Sequence, residues 1–177
     1  DNSGTMAQHQ ALLSQNFAAF IDVLEAKDVN ANYRIGITTT DSGNPRCTLS
    51  YPTPENGALV LSSCVDRVDD GEFDANSDRF SAACTDFCAK RDADLTVLPT
   101  TTQFDSDPAP RAWIERIEGK SNIGGVASNV EAFQCYGPQG IAGCGFEQQL
   151  ESMYQALAKT SDKAVPSNYG FLRESAI

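Results

Sequence analysis

Histidine is nearly missing from this chain: His9 is the only one among 177 residues. Acid–base catalysis near neutral pH relies heavily on histidine, and no nucleophile–base pair stands out either. An enzyme is therefore not expected, and His9 reads as an exposed or packed residue of a helix. Basic residues are also few, 13 against 24 acidic ones, for a formal charge of −11. This excludes a nucleic-acid binder, which needs basic patches to displace phosphate counterions. No apolar run approaches the roughly 18 residues of a membrane span. Cys-x-x-Cys pairs are lacking, so with a single histidine a zinc site has little support. A chain that opens on Asp rather than Met is expected to be a processed or excised piece.

What is present fits one domain with a sizeable core, since 41% of residues are hydrophobic. The acidic balance suits a secreted or surface protein, or one that attracts cations, and equally a merely soluble surface. The six cysteines are Cys47, Cys64, Cys84, Cys88, Cys135 and Cys144. An even count in an acidic chain points to disulfides and an oxidising compartment. Sequence does not choose the pairing. The most local set, Cys47–Cys64, Cys84–Cys88 and Cys135–Cys144, is the expectation, although Cys84–Cys88 is a tight fit to disulfide geometry.

Residues Ala7 to Ala26 read as a helix with Leu13, Phe17, Phe20, Ile21 and Leu24 at i, i+4, i+7, i+8 and i+11. Gly145 to Lys159 repeats that stripe with Phe146, Leu150, Met153, Tyr154 and Leu157. Both stripes are read as core faces. Tyr33 to Thr40 is strand-like and stops at Asp41-Ser42-Gly43-Asn44-Pro45. Ala58 to Leu61 and Leu95 to Leu98 are further strand candidates, and Ser77 to Lys90 is predicted helical. Pro99 to Pro110 and Gly119 to Gly125 are expected to be loops. Trp113 to Ile117 is an apolar island, short helix or strand, with Trp113 in the core. The order helix, strand, strand, helix, helix suggests α/β layering.

The chain opens on Asp1-x-Ser3-x-Thr5, three hard oxygen ligands on one loop before a helix. Such a set suits Mg2+, and it equally serves turns and helix caps. Together with Tyr33-Arg34-Ile35-Gly36-Ile37-Thr38-Thr39 and Gly143-Cys144-Gly145-Phe146-Glu147, it resembles von Willebrand factor type A domains. Pro110–Arg116 and Asn168–Arg173 are similar to a bacterial secreted or lipoprotein-like branch with cysteine-bearing insertions. The resemblance implies an α/β fold with a doubly wound, Rossmann-like, mostly parallel sheet, flanking helices and long loop insertions. It implies one domain over 1–177, with an insertion at about 65–142, lacking its first central strand and the strands after 177.

The same resemblance implies a metal-ion-dependent adhesion site. Asp1, Ser3 and Thr5 would ligate Mg2+, or alternatively Ca2+ or Mn2+, and the acidic residue of a protein ligand would complete the shell. The family's second-loop Thr has no counterpart near Gly143. Glu147 is the nearest oxygen ligand there, and it also reads as a solvated carboxylate in a helix's first turn. A free α-ammonium on Asp1 would oppose a cation. The expected setting is secreted, periplasmic or on a bacterial cell surface. The alternative is an extracellular structural or interaction domain with a degenerate metal site. Thr38 to Asp41 reads as a strand end at the ligand face or as solvent-facing strand. Glu115, Asp105 and Asp107 are weighed as a second cation site against plain acidic solvation.

Overall fold

A computed structural model of the chain describes residues 1–47, 54–68, 73, 81–125 and 127–176. The first element is helix α1, Ala7–Glu25, within a residue of its predicted end. Strand β1, Tyr33–Gly36, follows it. A hairpin of β2, Thr100–Thr102, and β3, Asp105–Ala109, occupies the predicted Pro99–Pro110 loop. Strand β4, Trp113–Ile117, and β5, Lys120–Ser121, come next. Helix α2, Asn129–Tyr136, and helix α3, Gln149–Ala158, follow.

The expected doubly wound parallel sheet is not what forms. Among the described residues one sheet has the order β1-β4-β5 and another pairs β2 with β3, and every strand pairing is antiparallel. A parallel neighbour needs a crossover, usually helical. Between β1 and β4 the described residues hold only short 3-10 and π-helical turns and the β2–β3 hairpin. The connection therefore brings β4 back against β1 in the reverse direction, with Ile35 opposite Ile114 and Gly36 opposite Trp113. Glu118 and Gly119, both at positive φ, then turn the chain directly into β5, the backbone that two-residue hairpins favour. The middle strand of this sheet comes from within the span 65–142.

Alternation along β4 supplies two cores. Neighbouring residues of a strand point to opposite faces. Ile114, with Tyr33 and Ile37, joins the main cluster, which also contains Phe17, Ile21, Phe133 and Tyr136. Trp113 faces the other way, into a smaller cluster with Leu59, Ala156 and Phe171. Trp113 is thus a core residue, as expected. Helix α1 packs on α2, where the Phe17 and Phe133 rings stack with centroids 3.5 Å apart. Helix α2 starts on a capping box: Ser128 Oγ accepts from Glu131 N at 3.1 Å, and Ser128 N donates to the Glu131 carboxylate.

The six cysteines are joined as Cys47–Cys144, Cys64–Cys84 and Cys88–Cys135. All three local pairings are therefore wrong. Proximity in sequence was the sole basis for them, whereas the partners meet through tertiary packing, 97, 20 and 47 residues apart. Cys64, Cys84, Cys88 and Cys135 all lie inside the main core.

Other expectations are also revised. Ala58–Leu61 forms no strand: Leu59 N donates to the Asn168 side chain and Val60 N to the Ile37 carbonyl. Of Leu95–Leu98, a single bridge from Val97 to Ile123 remains. Residues 77–80 of the predicted Ser77–Lys90 helix lie outside the described residues. Within the remainder, Ser81–Thr85 is a one-turn π-helix. Among the described residues, no helix is long and apolar enough to cross a membrane.

Candidate functional site

Three loops meet at the end of the sheet beyond Gly36. The first is the opening loop. Asp1 Oδ1 accepts from Ser3 N at 3.0 Å, and Met6 N donates to the Ser3 carbonyl at 3.0 Å. This closes a turn stabilised by the Asp side chain. Asp1 and Thr5 are exposed and Ser3 is half-buried. The Ser3 and Thr5 hydroxyls make no hydrogen bond among the described residues.

Asn2 sits deeper, 1% exposed, and its carbonyl accepts from Gly143 N at 2.8 Å. Gly143 is required there: a Cβ would lie 2.3 Å from the Asn2 side chain. Gln10 of α1 fastens the same junction. Its Nε2 donates to the carbonyls of Asp1 and Gly140, and its Oε1 accepts from Gln139 N and Gly140 N. The glycine-rich segment 143–145 thus lets the backbone approach closely, and the group it approaches is Asn2.

The second loop is Thr38–Asp41. The Thr40 hydroxyl donates to Glu147 Oε2, and the Thr39 hydroxyl donates to Glu55. Glu55 in turn pairs with the buried Arg67 at 3.0 Å. Asp41 is buried; it accepts from Gly43 N at 3.0 Å and from Cys144 N at 3.4 Å. The reading of Thr38–Asp41 as solvent-facing strand therefore fails for Thr39, Thr40 and Asp41, which are all buried. The third loop, Gly143–Glu147, is held by the Cys47–Cys144 disulfide. Gln148 N donates to the Thr40 carbonyl at 3.2 Å, which keeps Glu147 beside Thr40.

Glu147 Oε1 is buried and has no hydrogen-bond partner, and both polar atoms of the Asn2 amide are in the same condition. A buried acceptor with no donor is costly, so such atoms call for an ion, a water or a partner group. The Asp1 α-ammonium lies close enough to interact with Glu147. Burial holds that ammonium below its usual range, and the Glu147 charge works in the opposite direction.

The fold thus brings together the Asp1 α-ammonium, Thr40 and Glu147. It leaves the hydroxyls of Ser3 and Thr5 without hydrogen bonds at the turn before α1. Among the described residues, no three His, Cys, Asp or Glu side chains are grouped to hold a metal ion. A cation at this junction would rest on the Glu147 carboxylate and the Thr40 hydroxyl and would compete with the Asp1 α-ammonium beside them. The suggested second cation site is not assembled. Glu115 is buried against Arg34 at 2.5 Å, while Asp105 pairs with Arg111 at 3.0 Å. Arg111 and the Asp107 amide hold the Asp105 carboxyl below its usual range. Sequence reasoning missed Asn2, Gln10 and the Thr40–Glu147 contact. The run Thr38-Thr39-Thr40-Asp41, polar at the end of an apolar strand, was the available signal. Comparison with protein-family models, with curated proteins and with solved structures returned no match.

Proposed function

We propose that the chain is a divalent-cation-dependent protein-binding module of the adhesion type. The ion is held where the Asp1–Thr5, Thr38–Asp41 and Gly143–Glu147 loops meet, and a partner supplies an acidic residue. The observation that carries this reading is the Glu147 carboxylate. It is fixed by the Thr40 hydroxyl through one oxygen, and its other oxygen is buried without a hydrogen bond, with the Asp1 α-ammonium close enough to interact. The donors are all hard oxygens, which suit Mg2+ first and Mn2+ or Ca2+ as alternatives. Glu147, Thr40, Asp1 and Ser3 would hold the ion, and the ion would attract a partner carboxylate without performing chemistry. Three disulfides fit an oxidising compartment, which supports a secreted, periplasmic or bacterial-surface setting.

Thermal unfolding in millimolar Mg2+ or Mn2+ tests the reading. An ion present at about 100 times its Kd stabilises by about 2.7 kcal/mol, a Tm rise of roughly 5–10 °C. Glu147→Gln and Thr40→Val should abolish the rise. Asp107→Asn, which removes an exposed carboxylate from β3, should keep it. A rise that survives Glu147→Gln, or no rise at all, overturns the assignment. One observation favours a second reading, an extracellular interaction domain with a degenerate site: Asp1 Oδ1 is already engaged by Ser3 N. In that case partner binding would be indifferent to EDTA.

A further inference from the structure

We infer that the groove between the β2–β3 hairpin and the three-stranded sheet binds a small hydroxylated carboxylate, a sugar acid in chemical class. This site is separate from the proposed cation site and does not rest on it. The groove has a volume of about 600 Å3, and its lining includes Arg34, Thr100, Thr102, Lys120, Arg173 and Ser175. That size falls within the range of small-ligand pockets.

Arg34 forms its wall. The Arg34 side chain is only 8% exposed, bonded through Nε to Glu115 and through Nη1 to the carbonyls of Gly170 and Phe171. It also lies 5.4 Å from the centre of the Trp113 ring. The guanidinium is therefore locked in place, while its Nη2 makes no bond among the described residues. A fixed guanidinium with an unused edge is a preorganised donor for a carboxylate.

Two further cations flank it. Arg173 donates only to the Asn32 carbonyl, and Lys120 makes neither an ion pair nor a hydrogen bond among the described residues. Glu115 and Glu118 are the opposing carboxylates in the lining, so three cations meet two anions. On a chain of charge −11 this is a local positive site, and local fields of that kind draw anions in. The rest of the wall mixes apolar residues, Pro99, Pro108 and Ile117, with the hydroxyls and amide of Thr100, Thr102, Ser175 and Gln103. Thr100 Oγ1 has no hydrogen-bond partner and is shielded in this conformation, so it meets a ligand only after its side chain rotates toward the groove. A hydroxyl of that kind fits a ligand hydroxyl, which both donates and accepts.

Glucuronate is the probe, titrated by amide NMR with EDTA present so that the cation site contributes nothing. Glucose serves as the uncharged counterpart and acetate as the bare carboxylate. Glucuronate should shift the amides of Thr100, Thr102, Lys120 and Arg173, and added salt should weaken the binding. Arg173→Ala should weaken it about tenfold, and adding Lys120→Ala should remove it. Lys120 is exposed and Arg173 half-buried, so an unchanged circular-dichroism melt checks that the variants fold. Thr100→Val should weaken glucuronate but leave any acetate binding alone. Glucose binding as well as glucuronate, no response at tens of millimolar, or an unchanged Kd in the double variant would each overturn the site. Acetate matching glucuronate would overturn the sugar-acid assignment.

Discussion

Helix α1 buries Phe17 and Ile21 against α2, whereas α3 turns Leu150, Met153 and Tyr154 outward and packs through Ser152 and Ala156. The two helices carry the same apolar spacing, so the difference lies in what each one meets. Helix α1 meets another helix, which contributes Ala132, Phe133 and Cys135 to the same core and stacks Phe133 on Phe17. There, large apolar side chains can interlock and remove much surface from water. Helix α3 meets irregular backbone with polar groups to satisfy. Asn168 Nδ2 donates to the carbonyls of Ala156 and Gly57, and the Ser152 and Ser42 hydroxyls lie 2.7 Å apart. The backbone approaches so closely that a Cβ on Gly57 would lie 2.6 Å from Ala156 N. Only small residues allow that approach. The hydrogen-bonding needs of the neighbouring chain, more than the hydrophobic pattern of α3, set the face it buries.

Phe17→Ala is the largest expected break of this contrast. The residue is 5% exposed and stacked on Phe133, so its removal leaves a cavity and should cost about 3–5 kcal/mol in urea unfolding. A cost under about 1 kcal/mol would mean that the α1–α2 seam is loose, against this account of dense packing.

Ala156→Leu tests the other side. Adding volume where α3 rests on Gly57 and Asn168 should force the backbones apart and cost about 1–3 kcal/mol. Asn168 would then lose one or both of its carbonyl partners. Slow amide exchange of Leu59, whose N–H is also held by Asn168, should accelerate with it. If stability were unchanged while Phe17→Ala stayed costly, the close seating of α3 would be refuted.

These two helices also show what the chain alone reveals. Periodicity located α1, and it located α3 to within a few residues. It was silent on which partner each helix would find: the α3 stripe joins no core, and of the α1 stripe Phe17 and Ile21 are buried while Leu13 and Phe20 are more than half exposed. Tyr33–Gly36 and Trp113–Ile117 were readable as short apolar segments, but nothing within five residues encodes strand direction. The parallel sheet was expected from the family resemblance alone, and the antiparallel pairing of β1 with β4 overturns it. Helix α2 had a readable start in Ser128 and Glu131, yet it is only eight residues long and its apolar stripe is brief. Cysteine partners, and the meeting of Thr40 with Glu147, depend on long-range packing that no local spacing reports. The nearness of the opening loop to the segment 143–147, joined where Gly143 N donates to the Asn2 carbonyl, was expected from the family resemblance and not from any local pattern.

Leu150→Ser is the smallest expected effect and the sharpest check on the contrast. Leu150 is 78% exposed, so folding removes little of its surface from water, and the change should stay within about 0.5 kcal/mol. The same substitution at Phe17 would remove buried area and strand a hydroxyl in the core, where it has no partner. Urea unfolding of Leu150→Ser should be run at two protein concentrations differing tenfold. Equal midpoints, close to those of the parent, fit an α3 face that is solvated in the folded chain. A loss above about 1 kcal/mol that appears only at the higher concentration would show that this face is buried between copies. A loss of that size at both concentrations would place Leu150 against the chain itself and dissolve the distinction between the two helices.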